Sequence, residues 1–105
     1  MAAKPGEVWL ADLGFAAKTR PVVILSRDDP DAPRVLVIYI PLTTQKRGSQ
    51  YEVDVGNLKF LREPSVANVQ GIGSIPAVRL QRKIGTVPPE TLGKIKQAIR
   101  FALDL

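Results

Sequence analysis

The chain has 105 residues, 45% of them hydrophobic and 24% charged, which fits one domain over residues 1–105 with a core of its own. It contains neither Cys nor His, which excludes disulfides, thiolate metal sites and the commonest general acid–base group. The net charge is +5, and all of it falls in residues 44–105, where ten basic residues meet five acidic ones, while residues 1–43 balance five against five.

A basic half suits a polyanionic partner, either nucleic acid or an acidic protein, with plain solubility as the alternative. Met1–Pro5 lacks the apolar run of a secretory signal. The longest apolar stretch, Val35–Leu42, is interrupted by Tyr39 and Pro41 and is too short to span a bilayer. The expectation is a soluble cytoplasmic protein with no membrane partner.

In chain order, Glu7–Leu13 alternates as a strand, with Val8 and Leu10 on one face and Trp9, Ala11 and Leu13 on the other. Gly14–Arg20 reads as a loop. Pro21–Ser26 is a continuous β-branched apolar run, hence a buried strand, with proline at its head where a missing N–H is tolerated. Arg27–Arg34 is a turn rich in Pro and Asp, so Asp28, Asp29 and Asp31 read as solvated turn residues. Val35–Pro41 and Tyr51–Val55 are further strands, joined by a polar connection, Thr43–Gln50, around Gly48.

Ser65–Gln70 and Lys83–Val87 are the last predicted strands, with Pro76–Gln81 as a helical turn between them and Gly71 and Gly73 serving a turn. A helix starts at Thr86 or within Val87–Pro89, with proline allowed in the first turn and Glu90 favoured near the N-terminal dipole end. Leu92, Ile95, Ile99 and Leu103, with Ala98 and Ala102, form its apolar stripe. The pattern predicts a mainly β (α+β) fold: a small barrel or partly open antiparallel sheet with one C-terminal helix packed on it. The run Pro21–Ser26, the helix stripe, Trp9 and Phe15 all need cover, which suits a two-fold homodimer.

Four segments, in order, resemble the MazF/PemK toxins. Pro5-Gly6-Glu7-Val8-Trp9-Leu10-Ala11-Asp12-Leu13 is similar to the family's first strand, and Thr19-Arg20-Pro21-Val22-Val23-Ile24-Leu25-Ser26 to its Arg-Pro strand. Pro41-Leu42-Thr43-Thr44-Gln45, followed by Gly48 and Tyr51-Glu52-Val53, resembles its Pro-x-Thr-Thr segment. Ser65-Val66-Ala67-Asn68-Val69-Gln70 with Ser74-Ile75 resembles its late strand, and Arg82–Val87 with the final helix completes the match. The resemblance implies an SH3-like or CcdB-like barrel that forms a homodimer and cuts single-stranded RNA at short sequences, with no metal or other cofactor. It also implies neutralisation by an acidic antitoxin whose tail occupies the RNA groove.

RNA can be cut by attack of its own 2′-OH on the adjacent phosphorus. The enzyme then supplies a cation for the phosphorane-like transition state, together with positioning and proton transfer. Arg20 suits the first role: its planar fork matches phosphate oxygens and stays charged. Thr43 matches the family's catalytic Thr and suits the second role as a hydroxyl donor.

Lys18, Thr44, Gln45, Lys46, Arg47, Phe15 and Gln70 are the expected RNA-binding residues, the basic ones tracking phosphates and Phe15 offering a stacking face. The short loop Gly14–Thr19 lacks the acidic residue that the family places there, so the proton acceptor is open among Arg20, Lys18, Glu52 and water. The alternatives are a non-catalytic nucleic-acid-binding barrel, or a CcdB-like gyrase poison working through Phe101, Leu103 and Leu105.

Overall fold

The computed structural model describes residues 3–14 and 18–105. Its strands are β1 Glu7–Asp12, β2 Thr19–Ile24, β3 Leu36–Thr43, β4 Glu52–Gly56, β5 Ser65–Asn68, β6 Gly73–Pro76 and β7 Leu80–Thr86, followed by helix α1 Pro89–Leu103. Two single 3₁₀ turns, Val69–Gly71 and Ala77–Arg79, flank β6. The sheet is antiparallel in the order β4-β5-β3-β2-β1-β7, with β6 also pairing to β3. Its end strands β4 and β7 are not paired with each other among the described residues, so the partly open sheet is the form adopted.

β3 organises the sheet because it serves two partners on one edge. Leu36–Tyr39 pairs with β6, and Leu42–Thr43 pairs with β5. Pro41 lies in the gap between these two ladders, where a missing N–H costs no bond on that edge.

Three strands extend by two or more residues beyond the sequence expectation, and each extension follows from pairing. β2 begins at Thr19 rather than Pro21, because Asp12 and Ala11 of β1 pair with Thr19 and Arg20. β3 runs on to Thr43 rather than stopping at Pro41, because Val66 of β5 pairs with Thr43. β7 begins at Leu80 rather than Lys83, because β1 draws in Leu80 and Arg82. β6 is a strand that the sequence does not announce: it is four residues long, begins with Gly and ends with Pro. Gly73 therefore serves no turn; it opens β6 opposite Tyr39, and a Cβ there would stand 2.8 Å from the tyrosine hydroxyl.

Side-chain alternation gives the sheet two buried faces. On the first, Val8, Val23, Ile40 and Leu42 pack with Val53, Val55, Ala67 and Val69, and with Ile95 and Ala98 of α1. On the second, Ala11, Val22, Ile24 and Val37 pack with Ala3, Ile75 and Leu80, and Trp9, Leu13 and Tyr39 lie against them. The helix stripe is covered from Leu92 to Ala102, but Leu103 is half-exposed because the helix has passed the end of the core. Phe101, also outside the core, instead meets Tyr51 at a ring-centroid distance of 5.2 Å.

Because Val22–Ile24 and most of the helix stripe are covered within the chain, they offer no surface for a second copy. The exposed apolar side chains around β3 and β6 are Val35, Leu36, Ile38 and Val78. Phe15 lies outside the described residues. No helix among the described residues is long and apolar enough to cross a membrane.

Candidate active site

The β2–β3 register places the two proposed catalytic residues together. Ile24, Val23 and Val22 pair with Tyr39, Ile40 and Pro41. Extended by two residues, that register sets Arg20 opposite Thr43, both on the second face of the sheet. Inward along the same rows lie Val22 and Tyr39, part of the apolar packing of that face. Arg20 and Thr43 are thus the polar outer end of an otherwise apolar surface.

They line one cleft of about 430 Å³, shared with Thr44 and Gln45 and with Tyr39, Asn68 and Gly71. A volume in the range of roughly 300–1,000 Å³ is that of ordinary ligand sites. No carboxylate lines this cleft among the described residues.

Thr43 is half-buried, and its Oγ1 accepts a hydrogen bond from the Gln45 N–H at 3.1 Å. A hydroxyl has one proton and two lone pairs, so this bond fixes the oxygen while leaving its O–H to donate into the cleft. Asn68 is held similarly: its Oδ1 accepts from the Gln70 N–H at 3.1 Å and starts the 3₁₀ turn. Gly71 ends that turn directly against Pro41, where a Cβ would approach the ring Cγ to 2.6 Å. The cleft wall therefore needs glycine at that point.

A second, polar recess of about 220 Å³ adjoins the first through Thr43, Gln45 and Asn68, and adds Arg47, Glu52 and Gln70. Glu52 has a structural task here. Its Oε1 accepts from the backbone N–H groups of Arg47 and Gly48 at 2.9 Å each and of Ser49 at 3.5 Å. It clasps the β3–β4 loop and so fixes the direction of Arg47. Lys46 lines neither recess; its ammonium meets Asp54 at 2.9 Å, raising the lysine pKa and lowering that of the aspartate. Lys18 is exposed, at a positive φ of 53°, and also lines neither recess.

The structure thus brings Arg20, Thr43, Thr44 and Gln45 into one cleft and Arg47 and Gln70 into its extension. Sequence reading passed over Asn68 and Tyr39. Asn68 carried a usable signal, an amide side chain closing a short strand where Asx-type capping is common; Tyr39 reads from sequence only as a strand residue.

A profile of the PemK-like, MazF-like toxins of type II toxin–antitoxin systems matches residues 4–103. The chain belongs to that family. The endoribonuclease MazF3 of Mycobacterium tuberculosis is 35% identical over 88 residues, which are 84% of this chain and 85% of that one. Among solved structures, the M. tuberculosis toxin MazF-mt6 has a TM-score of 0.83 and 33% identity, covering 94% of this chain and 97% of that one. An endoribonuclease in complex with its cognate antitoxin, from a mycobacterial species, has a TM-score of 0.85 and 29% identity, covering 99% of this chain and 97% of that one. Relatives of this MazF-like toxin are thus named as RNA-cutting enzymes over nearly their whole length, rather than as gyrase poisons or passive binding barrels.

Proposed function

We propose that the chain is a metal-independent endoribonuclease toxin that cleaves single-stranded RNA at the cleft between Arg20 and Thr43. The placement of these two residues at the same end of one sheet face carries the reading. The Arg20 guanidinium binds the non-bridging oxygens of the scissile phosphate, and the Thr43 O–H donates to one of them. Both interactions strengthen as charge builds on phosphorus. The 2′-oxygen forms its bond to phosphorus as the bond to the 5′-oxygen breaks. The 2′-OH proton passes to water in the cleft, the 5′-oxygen takes one back, and the products are a 2′,3′-cyclic phosphate and a 5′-OH.

Thr44, Gln45, Arg47 and Gln70 hold the strand on either side, and Lys18 adds long-range attraction to its phosphates, whereas Asp54 offsets the charge of Lys46. The donor set supports independence from a metal: the chain has no His or Cys, and the described residues hold no group of three or more Asp or Glu placed to bind one. The decisive experiment is digestion of a single-stranded RNA in excess EDTA with analysis of the ends. Cleavage with 5′-OH ends is expected; dependence on Mg²⁺ or 5′-phosphate ends refutes the mechanism.

The basic half of the chain, with a solved relative that is in complex with its cognate antitoxin, supports an acidic antitoxin segment that competes with RNA for the same cleft. The apolar side chains Val35, Leu36, Ile38 and Val78 support a homodimer paired through the β3–β6 side, and membership of a toxin–antitoxin family suits a cytoplasmic location. Light scattering at micromolar concentration tests the pairing, with a mass near twice 11.5 kDa expected.

A further inference from the structure

A recess on the other face of the sheet has no role in the mechanism above. It measures about 410 Å³, and its floor is apolar: Leu10 of β1, Ile84 of β7, and Phe60 from the segment between β4 and β5. Arg62 and Arg82 stand at its rim, and neither forms an ion pair among the described residues. Glu63 shares the rim and brings its formal charge to +1.

Two observations connect this recess to the catalytic cleft. Thr44 lines both. Pro21, which follows Arg20, lines it as well. Successive strand residues point to opposite faces. Arg20 and Pro21 of β2 therefore put the cleft and the recess on the two sides of one sheet rim, and Thr44, in the bend just after β3, reaches both.

The Phe60 ring is fixed rather than adaptable. It lies over Gly85 of β7 so closely that a Cβ on that glycine would overlap the ring, and it packs against the first core. Gly85 needs no special backbone angle, since its φ is not among the positive ones; the space for Phe60 explains glycine there. The ring nevertheless remains half-buried and lines the recess.

We propose that this recess is a nucleotide subsite of the RNA groove. A strand held at Arg20 and Thr43 crosses the rim over Thr44 and lays one flanking base against Phe60, with the neighbouring phosphate between Arg62 and Arg82. The proposal rests on the RNA-cleaving reading of the cleft. Single-stranded RNA is the occupant for two reasons. The recess shares Thr44 with the cleft that would hold the scissile phosphate. It also joins an aromatic face to unpaired guanidinium groups, the pairing of stacking and phosphate neutralisation that suits a single strand.

The test uses the full-length protein and fluorescent strands carrying one 2′-deoxy nucleotide at the scissile position, so that binding is read without cutting. A short core strand is compared with strands lengthened on the 5′ side or the 3′ side. Lengthening on one side alone should tighten binding. Phe60→Leu, which keeps apolar cover but removes the π face, should abolish that gain, weakening the long strand about five- to a hundred-fold. The short strand should bind as to wild type.

Arg82→Gln, an exposed change that leaves the fold alone, should reduce the salt slope for the long strand by about 0.7. Glu63→Gln should tighten the long strand. Equal binding of long strands to wild type, Phe60→Leu and Arg82→Gln overturns the proposal. So does a Phe60→Leu defect confined to a labelled Asp/Glu-rich twelve-residue peptide, which would make the recess a protein-docking site. Cleavage of the short strand by wild type and Arg20→Ala is measured in parallel. Loss of the catalytic reading appears there, whereas failure of the subsite appears only with the long strands.

Discussion

Two glycine-to-alanine substitutions should act in opposite directions. At Gly71 a new methyl would stand 2.6 Å from Pro41 Cγ and 3.1 Å from Cδ. Ordinary carbon contacts lie at about 3.5–4.0 Å, so the turn and the ring must separate by about 1 Å. Pro41 cannot rotate its ring away, and its backbone is paired with Val22 of β2. Overpacking of this kind costs about 1–3 kcal/mol. The lost freedom of the unfolded chain returns about 0.4–1 kcal/mol, leaving a net destabilisation centred on about 1.3 kcal/mol.

Gly93 lies exposed inside α1 with nothing within 4 Å of its would-be Cβ. Alanine there should stabilise by about 0.5–1 kcal/mol through helix propensity alone. For a domain of this size each kcal/mol moves Tm by about 4–8 °C. Gly71→Ala should therefore melt about 5–10 °C lower and Gly93→Ala about 2–8 °C higher. Urea and thermal unfolding should be run at one protein concentration, because self-association would shift both. Gly71 and Pro41 both line the cleft, so Gly71→Ala should also lower kcat/KM on RNA while Gly93→Ala leaves it unchanged. A Gly71→Ala protein as stable as wild type would show that the turn does not press on Pro41, and the account of this wall would fail.

Other outcomes follow from the site and the core. Arg20→Ala should reduce the cleavage rate by about 10²–10³, the scale of losing one strong transition-state partner, with little change in melting; wild-type rates would remove Arg20 from the chemistry. Thr43→Ser should keep most activity and Thr43→Val should lose it at similar stability; equal rates for the two would mean that the hydroxyl does not donate. Burial opposes the Glu7 carboxylate, but donors from the Lys4 N–H, the Trp9 indole and Lys83 outweigh it and lower its pKa below the ordinary 4.5. A lowered folded-state pKa gives stability that is present above the unfolded pKa and lost as pH falls through the folded one. Glu7→Gln should therefore destabilise the protein at neutral pH and flatten the loss of stability below about pH 4.5; unfolding curves of both proteins across that range check it.

The sequence by itself determined the local features. Alternation along Glu7–Leu13, the β-branched run after Pro21 and the 3.6-residue stripe of the final helix each depend on neighbours in the chain, so each was legible without the fold. So was the absence of His and Cys, which narrowed the chemistry before any geometry was known. Tertiary structure decided what depends on strand pairing. β6 is a strand only because β3 lies beside it. Arg20 and Thr43 looked like loop residues until β1 and β5 extended their strands. Their position opposite each other comes from a register that joins residues 23 apart, which no local pattern encodes. The same holds for Gly71 and Gly85: in the chain the first reads as a turn residue and the second only as part of a strand, and only folding brings Pro41 and Phe60 into the space a side chain would have filled.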